Sequence, residues 1–457
     1  MASIVATGTR KLRGPSYRSP LGALPQYRRD PLSLFYEQAV AHGGSVRIRL
    51  AHEHIHLLVD PEHIRRVLTG NAANYVKGIS YASLSHLLGN GLLTSDGDLW
   101  QRQRALIKPA FSRNHTAAEI PLIMQCGYRL VERLDAKANT GEAFDLVPEL
   151  MCFALDVVCR AAMGSDIDQL LPQIERDTPV GEQWIMRNMA SVVTLPPSVP
   201  TPANLRFHRV RARMREVVER VIEGHRHGGA DANSFLGRLL KARDDGGHAM
   251  DDRQLRDEVL TFLLAGHETS AAGAAWTIYE LCQHPELVRA VVDEVNQNGG
   301  LDGPAASESV PALQAAGRVV DESMRLHPPA WAFTRTAVAG DAFDDFDITK
   351  GSIVVISPFV NHRMPQFWFA PLRFDPNRFT EDQVRARPRL HYFPFGFGPH
   401  LCVGMHFAVI EMRIAVALLV SRFDIELVNG MRVRENPQIA NTPDPVLVRI
   451  TRRKDKR

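Results

Sequence analysis

The longest stretch of helical hydrophobic periodicity in the chain runs from Asp252 to Gln283. At 1.5 Å per residue, it predicts a helix of about 48 Å. Near its middle, the sequence Leu-Ala-Gly-His-Glu-Thr-Ser places an imidazole, an acid and two hydroxyls in an otherwise apolar helix. Burying Glu268 without a partner would be costly, and Thr269 can donate to the carbonyl of Ala265 and bend the helix. The pattern therefore predicts a polar notch that can hold oxygen and water.

Weaker periodic patterns predict further helices, which are broken by two irregular stretches. Helical periodicity resumes at Asp98 and continues, with interruptions, through residues 117–225. The proline cluster at residues 195–202 cannot lie inside a helix and is predicted to be a loop between two helices. Residues 70–95 hold glycine, serine and apolar residues without a clean period, which predicts a loop over a pocket.

Local signals predict the remaining elements. Two Asp-Pro pairs are typical helix starts and predict helices over residues 31–41 and 61–68. Short alternating or apolar stretches predict strands at 45–50 and 54–59, joined as a hairpin, and at 343–348, 352–356 and 446–450. The chain is therefore predicted to be mainly α (α+β), with a small β-lobe.

Composition and charge exclude several classes of protein. The 457 residues are 45% hydrophobic and 23% charged, which is ordinary for a globular protein, and no Ser/Gly-rich linker divides them. One domain over residues 1–457 is predicted, with an irregular basic lead-in over about 1–25 and a basic, solvated tail over about 450–457. A net charge of +3 is too small to imply nucleic acid. The N-terminus lacks an apolar segment, so no membrane anchor is expected.

Five cysteines in this length are few, and no C-x-x-C motif occurs, which disfavours a disulfide framework and favours the reducing cytoplasm. Cys402 stands in a glycine-rich loop, residues 395–404, just before a helical pattern. The positive end of a helix dipole and unpaired backbone N–H groups favour thiolate over thiol there. Gly398 and Gly404 permit close backbone turns, and Phe395 can exclude water. Such a dry thiolate suits a haem iron.

Two alternatives compete for this cysteine. A buried structural cysteine is the commonest fate of an intracellular thiol. His400, Cys402 and His406 could also hold zinc, but they lack a second ligand pair at finger-like spacing.

Two further patterns place polar or charged side chains on one helix face. Trp100 and Arg104 are four residues apart, so they share a helix face that suits an anionic group. Glu322 and Arg325 are three apart and can form an ion pair just before a double proline.

Taken together, these motifs resemble the cytochrome P-450 family. They are W-x-x-x-R, A-G-x-E-T, E-x-x-R, P-x-R-F and F-x-x-G-x-H-x-C-x-G, in the family's order and spacing along nearly the whole chain. The chain departs from most members in carrying His400 where they carry arginine. The resemblance implies the α-rich triangular fold with a small β-lobe, and a bacterial-type haem-thiolate monooxygenase.

The resemblance also implies a role for each motif. Cys402 would be the axial ligand of a non-covalent haem b, held in its loop by Phe395, Gly398 and Gly404. Glu268 and Thr269 would deliver protons to dioxygen. The haem propionates would be bound by Trp100, Arg104, Arg335 and His400. A structural network that braces the cysteine loop would be formed by Glu322, Arg325 and Arg378.

The implied substrate is a hydrophobic small molecule, which the enzyme would hydroxylate, epoxidise or oxidatively cyclise with O2. The implied setting is natural-product metabolism of terpenoid, fatty acyl, or aromatic or peptide-derived compounds. The predicted pocket is apolar and aromatic, with Leu84, Leu87, Leu88, Phe262, Ala265, Ala330, Trp331, Phe333 and Ile439.

No flavin or nicotinamide module follows the loop, so electrons are expected from a separate ferredoxin and ferredoxin reductase. Docking is predicted near Arg102, Lys108 and Arg413, with Arg113 on the same basic surface. A hydrogen-peroxide-driven peroxygenase of the same fold remains an alternative, as does a non-catalytic haem sensor. A dinucleotide-binding loop is excluded because a third glycine and the βαβ context are missing.

Overall fold

The computed structural model of the chain describes residues 10–78, 80–164, 167–190, 195–227, 233–303, 306–428 and 433–453. These residues form two compact units. The first comprises residues 10–82, Ala330–Arg373 and Arg387–Cys402, and the second comprises Ser83–Pro329, Phe374–Ala386 and the described residues from Val403 onward.

The α-helices in the described residues are, in chain order, α1 Leu24–Arg29, α2 Pro31–Ala41, α3 Pro61–Arg65, α4 Ser80–Leu88, α5 Gly97–Ile107, α6 Arg113–Ala118, α7 Ile120–Thr140, α8 Leu146–Met163, α9 Leu171–Ala190, α10 Pro202–Arg226, α11 Phe235–Lys241, α12 Asp252–Gln283, α13 Pro285–Gln297, α14 Ala306–Ser309, α15 Gln314–Leu326, α16 Pro358–Asn361, α17 Glu381–Ala386 and α18 Met405–Arg422. The β-strands are β1 Val46–Leu50, β2 Glu53–Leu58, β3 Tyr75–Lys77, β4 Phe144–Asp145, β5 Phe333–Ala337, β6 Asp341–Ala342, β7 Asp347–Ile348, β8 Ile353–Ile356, β9 Phe423–Leu427, β10 Arg434–Pro437, β11 Asn441–Asp444 and β12 Leu447–Arg452.

The first unit is built on a five-stranded sheet in the order β1-β2-β8-β5-β3. β1 and β2 form the predicted antiparallel hairpin, and β2 pairs with β8 in parallel. Two clusters of buried apolar side chains belong to this unit, and they include Leu58 and Val354 in one and Leu57 and Val355 in the other. Adjacent residues of β2 and β8 thus enter different clusters, as expected where successive side chains point to opposite faces of a sheet.

The second unit is organised around α12, which packs along α8 and also contacts α10, α15 and α18. Asp251 caps α12, because its side chain accepts a hydrogen bond from the backbone N–H of Gln254. Much of the helix is buried, including Leu255, Ala272 and Trp276. This explains why its sequence is apolar on most sides rather than on one stripe.

Most of the local predictions are confirmed. α2 has the predicted bounds, with Asp30 capping it by accepting from Ser33 N, and α12 has both its predicted ends. The predicted strands at 352–356 and 446–450 correspond to β8 and β12. The helix predicted over residues 61–68 is α-helical only to Arg65 and continues as a π-helical turn over Arg66–Gly70.

Other local predictions are wrong. Residues 70–95 are not a loop, because they contain β3 and α4. The short helix α1 begins at Leu24, at the end of the predicted lead-in, and of residues 343–348 only Asp347 and Ile348 form a strand. The predicted tail is partly structured: β12 extends to Arg452, and Arg453 pairs with Asp424 at 2.7 Å. Residues 1–9 and 454–457 lie outside the described residues.

Candidate active site

The loop that carries Cys402 is closed by its own backbone. The N–H of Cys402 donates to the carbonyl of Phe395 at 3.0 Å, and the N–H of Leu401 donates to the carbonyl of Gly398 at 3.1 Å. Gly396 and Gly398 have φ values of +76° and +74°, in the left-handed region that favours glycine. The loop is therefore a set of tight turns that ends at the cysteine.

Gly398 is also required by close packing. A Cβ atom at this position would lie 2.5 Å from the carbonyl oxygen of Leu68 and 2.8 Å from Cγ2 of Thr69. The cysteine loop thus rests directly on the π-helical turn of the same unit. Gly404 caps α18 with a φ of −84°, a conformation open to any residue, so its backbone dihedral does not explain the glycine.

Among the five cysteines, Cys402 is the exposed one. Burial raises the pKa of Cys126 and of Cys282 to about 12. Burial also raises the pKa of Cys152, and it raises that of Cys159 well above its ordinary value. These four side chains are therefore held as thiols, and Cys402 is the cysteine with access to a ligand.

Arg335 is a buried cation that fits an anionic group such as a haem propionate. Its side chain lies in β5, is 6% exposed, and stacks over the ring of Phe333 at 5.4 Å. One guanidinium nitrogen donates to the carbonyl of Thr334 at 2.8 Å, but no carboxylate of the described residues pairs with it. Because a buried charge needs a partner of opposite sign, an anion at this position would stabilise it.

The other residues predicted to bind the propionates are half-buried. Trp100 and Arg104 both lie on α5, one turn apart, as their spacing predicted. His400 ends the 3₁₀ turn Gly398–His400 of the cysteine loop. Their contact with a propionate stays a prediction.

The hydrogen bond predicted at the centre of α12 is present, and the notch that it would open stays a prediction. The hydroxyl of Thr269 donates to the carbonyl of Ala265 at 2.8 Å, one helical turn earlier. Ala265 is exposed although most of the helix around it is buried, so this face of the helix borders open space. A small side chain beside a hydroxyl leaves room for a flat group and a small ligand against the helix.

Glu268 is held next to this notch in an environment that favours its neutral form. One carboxyl oxygen accepts a hydrogen bond from the backbone N–H of Ala440 at 3.4 Å. The other is buried without a hydrogen-bond partner among the described residues. Burial raises the pKa of Glu268 to about 7, and the Ala440 N–H opposes this shift. A carboxyl group with this pKa can take up and release protons near neutral pH.

Two residues beside Glu268 were not predicted. His267 Nε2 lies 3.3 Å from a carboxyl oxygen of Glu182, which is on α9. Burial raises the pKa of Glu182 well above its ordinary value, and repulsion from Glu268 raises it further. Both acids border one cavity of about 480 Å³. The sequence carries one signal of it, since Glu175, Thr178 and Glu182 repeat along one face of α9.

The three members of the predicted structural network lie together in the second unit. Glu322 and Arg325 pair at 2.7 Å with no exposure of either side chain. Arg378 lies 3.4 Å from the same carboxylate, and the backbone N–H of Asp375 donates to it at 2.8 Å. The carboxylate is thus satisfied from two elements. That this network braces the cysteine loop stays a prediction.

The predicted pocket residues divide between the two units. In the second unit, Ala265 is exposed and Ile439 is half-buried, whereas Leu84, Leu87 and Leu88 are buried. Phe262 stacks on Phe235 at a centroid distance of 4.8 Å, within a cluster of aromatic side chains. The remaining three residues, Ala330, Trp331 and Phe333, belong to the first unit.

The predicted docking surface needs correction. Arg102 is not free on the surface, because it pairs with Asp244 at 2.7 Å. Arg413 is half-buried against Gly317, and burial lowers its pKa. Lys108 and Arg113 are exposed.

Two searches of the described residues returned nothing. They contain no group of three or more His, Cys, Asp or Glu residues arranged to hold a metal ion, so the zinc alternative gains no support. None of the helices in this part of the chain combines the length and apolar character needed to cross a membrane.

Known proteins resemble the chain over most of its length. A model of the cytochrome P-450 family matches residues 12–450. Cyclooctatin synthase of Streptomyces melanosporofaciens is 31% identical over 423 residues, which cover 92% of this chain and 90% of that protein. Pentalenene oxygenase of Streptomyces avermitilis is 29% identical over 424 residues, covering 90% and 92%. The crystal structure of the cytochrome P-450DA haem domain shares the fold, with a TM-score of 0.88, 23% identity and 98% coverage of both chains.

Proposed function

The chain belongs to the cytochrome P-450 family, and on that premise we propose that it inserts one oxygen atom of O2 into a hydrophobic small molecule of natural-product metabolism. Terpenoids are the first substrate class to test. Cyclooctatin synthase and pentalenene oxygenase are bacterial terpenoid-modifying relatives that align with about nine-tenths of the chain. The outcome of this insertion would be hydroxylation or epoxidation; oxidative ring closure would use the same activation of O2 but would release both oxygen atoms as water.

The described residues fit a haem b. Cys402 is the exposed cysteine at the end of a loop closed by its own backbone hydrogen bonds, and Arg335 is a buried cation without a carboxylate partner among them. The thiolate of Cys402 would hold the haem iron, and Arg335 with Trp100, Arg104 and His400 would hold the propionates. A thiolate-ligated haem supplies the reductive activation of O2, favoured by electron density from the sulfur.

The protein's own contribution is to bind, orient and deliver protons. The Thr269 hydroxyl is directed by its bond to the Ala265 carbonyl, and its oxygen can accept a hydrogen bond from a donor on the open side of α12. Glu268, the next residue back, has a pKa of about 7 and can be reprotonated after each transfer. This pairing of a protonatable acid with an oriented hydroxyl is the observation that carries the proposal.

A non-catalytic haem sensor would share the thiolate but has little use for the Glu268–Thr269 pair. A peroxygenase would obtain both oxygen and electrons from hydrogen peroxide. The proposed electron donors are a separate ferredoxin and its reductase, as expected for a bacterial-type member of the family.

The test is substrate turnover by the haem-loaded protein with NADPH, a ferredoxin and its reductase. Spin-state shifts first select ligands from terpenoid, fatty acyl and aromatic sets, and product analysis follows. We expect oxygenated product that requires NADPH and O2. Thr269→Ala should lower product per NADPH about 10²-fold, whereas Thr269→Ser should retain most of it. Full turnover with hydrogen peroxide alone would favour the peroxygenase, and ligand binding without turnover would favour the sensor.

A further inference from the structure

A cavity lined by acidic side chains lies beside the predicted notch of α12. The cavity of about 480 Å³ is bordered by α8, α9, α12 and the β10–β11 hairpin, all within the second unit. Its walls include Glu182 and Glu268, and we call it the carboxyl cavity. A water molecule occupies about 30 Å³ in the liquid, so a hydrogen-bonded chain of waters fits this volume.

The charges around the carboxyl cavity are of one sign. The other titratable side chains on its walls are Asp145, Cys152, Glu175, His267 and Asp444. No lysine or arginine of the described residues borders it. The charge of Arg133 opposes the rise in the pKa of Glu175 and of Cys152, but no cation opposes the rise in the pKa of Glu182. Burial and the neighbouring negative charge disfavour the carboxylate of Glu182 and therefore favour proton uptake there.

Among these side chains, Glu182 has a pKa that burial and repulsion from Glu268 raise well above its ordinary value. Its side chain is 17% exposed, and its buried Oε1, although 3.3 Å from His267 Nε2, makes no hydrogen bond in the described part of the chain. One oxygen of Glu268 is likewise buried without a hydrogen bond there. Two buried carboxyl groups that share a cavity and lack cations cannot both ionise readily, so the pair retains a proton near neutral pH.

The tautomer of His267 indicates that this proton is held by Glu182. Its Nδ1 lies 3.1 Å from the carbonyl of Leu263, which can only accept, so Nδ1 carries the N–H. Burial lowers the pKa of His267, so the ring is neutral and Nε2 carries a lone pair. Nε2 lies 3.3 Å from Glu182 Oε1. Two lone pairs at this distance repel, whereas a protonated Glu182 facing a neutral imidazole does not.

We propose that Glu182 and Glu268 form a proton-sharing carboxyl pair, and that the carboxyl cavity is the route by which solvent protons reach the notch. This inference rests on the proposed function. Glu182 acts through Glu268 and is therefore a positioning residue that holds and replaces the proton that Glu268 passes on.

The route has an open end. Asp444 and Gln438 on the hairpin side, and Pro179 on α9, are exposed where they border the cavity. Glu175 also borders the cavity, is half-buried, and lies on the same face of α9 as Glu182. Protons can thus enter from solvent and pass along water to Glu182 and then to Glu268.

Protons and electrons balance in the proposed reaction. Each O2 gives one oxygen atom to the substrate and one to water, with two electrons from the redox partner and two protons from solvent. Every proton that Glu268 releases towards Thr269 is replaced from Glu182, and Glu182 is replenished through the cavity. No net charge remains on the pair after a turnover.

The test combines infrared spectroscopy with turnover of the holoenzyme. Because buried Glu411 also holds a proton at neutral pH, the spectra are recorded in a Glu411→Gln background. In the carbonyl stretching region, Glu411→Gln protein at neutral pH should show a protonated buried carboxyl band that shifts in D2O. Adding Glu182→Gln should reduce the intensity of this band. The control Glu216→Gln removes an exposed carboxylate on α10 and should keep it.

In turnover, Glu182→Gln should lower product per NADPH about tenfold, raise the solvent isotope effect, and change the pH profile, while Glu216→Gln should match wild type. Should Glu182→Gln fold poorly, titration of the band in the Glu411→Gln protein decides: the inference requires this band to persist above pH 6 and to weaken as pH rises further.

A Glu411→Gln protein without the band, or a Glu182→Gln variant with wild-type coupling and isotope effect, would overturn the inference. A haem–carbon monoxide spectrum separates this failure from failure of the proposed function. A thiolate-type spectrum with an unaffected Glu182→Gln variant rejects the carboxyl pair alone. Absence of that spectrum in wild type rejects the function, and the inference that rests on it.

Discussion

The carboxylate of Glu322 and the guanidinium of Arg325 form an ion pair 2.7 Å apart, and neither side chain has any exposure to solvent. Burial alone would raise the pKa of Glu322, and its bonds to Arg325 oppose that rise. The charges are therefore kept only because each satisfies the other.

Breaking this pair should be strongly destabilising. Glu322→Gln leaves Arg325 buried without its counter-charge and removes the charged partner of Arg378. The free energy of unfolding should fall by about 3–5 kcal/mol, as is typical when one member of a buried pair is removed. Chemical denaturation of the purified variant measures this loss.

The chain offers a matched control. Glu381 and Arg385 form an ion pair at 2.7 Å on α17, but their side chains are 87% and 70% exposed. Glu381→Gln should change the free energy of unfolding by less than about 1 kcal/mol. Equal losses for the two variants would show that burial does not set the value of the Glu322 pair.

Gly398→Ala should impair the cysteine loop. The added methyl group would meet the Leu68 carbonyl, and the φ of +74° disfavours any residue with a Cβ. We expect less haem bound per protein and a lower unfolding temperature. Gly351→Ala is the control, because Gly351 has a φ of +82° but no atom within 4 Å of the added Cβ. If both variants bind haem equally, close packing against Leu68 is not what requires the glycine.

Stability should depend on pH through Glu411. Its side chain is 1% exposed, and burial raises its pKa to about 8, although a bond from Ser270 opposes the shift. Between pH 4.5 and 8, the folded protein holds a proton that the unfolded chain has released. The free energy of unfolding should therefore fall as pH rises through this window, by up to about 1.4 kcal/mol per pH unit.

Glu411→Gln should make this dependence less steep, because glutamine does not ionise, while Glu182 and Glu268, whose pKa values are also raised, still contribute. Denaturation at several pH values between 4.5 and 8 measures the slope, with Glu381→Gln again as the exposed control. An unchanged slope in Glu411→Gln would mean that Glu411 is not the group that binds this proton.

The rate of reduction by the proposed ferredoxin should depend on Lys108 and Arg113, which are exposed, rather than on Arg102 or Arg413. Charge reversal at both positions, Lys108→Glu with Arg113→Glu, should slow reduction by an acidic ferredoxin about tenfold at low ionic strength, and the difference should shrink with added salt. Arg449→Glu reverses an exposed charge on β12 and serves as the control. Equal rates for both variants in stopped-flow reduction would exclude docking at Lys108 and Arg113.

The elements that sequence could predict are those with local signals. α12 was predictable to its end residues because an unbroken apolar pattern lies between its capping side chain, Asp251, and His284-Pro285, where the next helix begins. The cysteine loop was predictable because its glycines and its cysteine stand within ten residues. Thr269 was predictable because its acceptor, the Ala265 carbonyl, is one turn away on the same helix.

What sequence could not show depends on distant partners. The segment around α4 has no clean period, and its end is held by α12, where Asp257 accepts from the backbone N–H of Asn90 and Glu258 accepts from that of Leu92. Glu182 was missed for the same reason, since His267 and Glu268 lie on another helix. Arg102 looked like a surface charge because Asp244, its partner, is 142 residues away.

The central claim is that Cys402 is the axial ligand of a haem, and one spectrum tests it most directly. The reduced, haem-loaded protein under carbon monoxide should show the strongly red-shifted Soret band of a thiolate ligand. Cys402→Ala should lose that band, whereas Cys152→Ser, which changes a half-buried cysteine on α8, should keep it. A haem–carbon monoxide band at its ordinary position in the native protein would contradict the account.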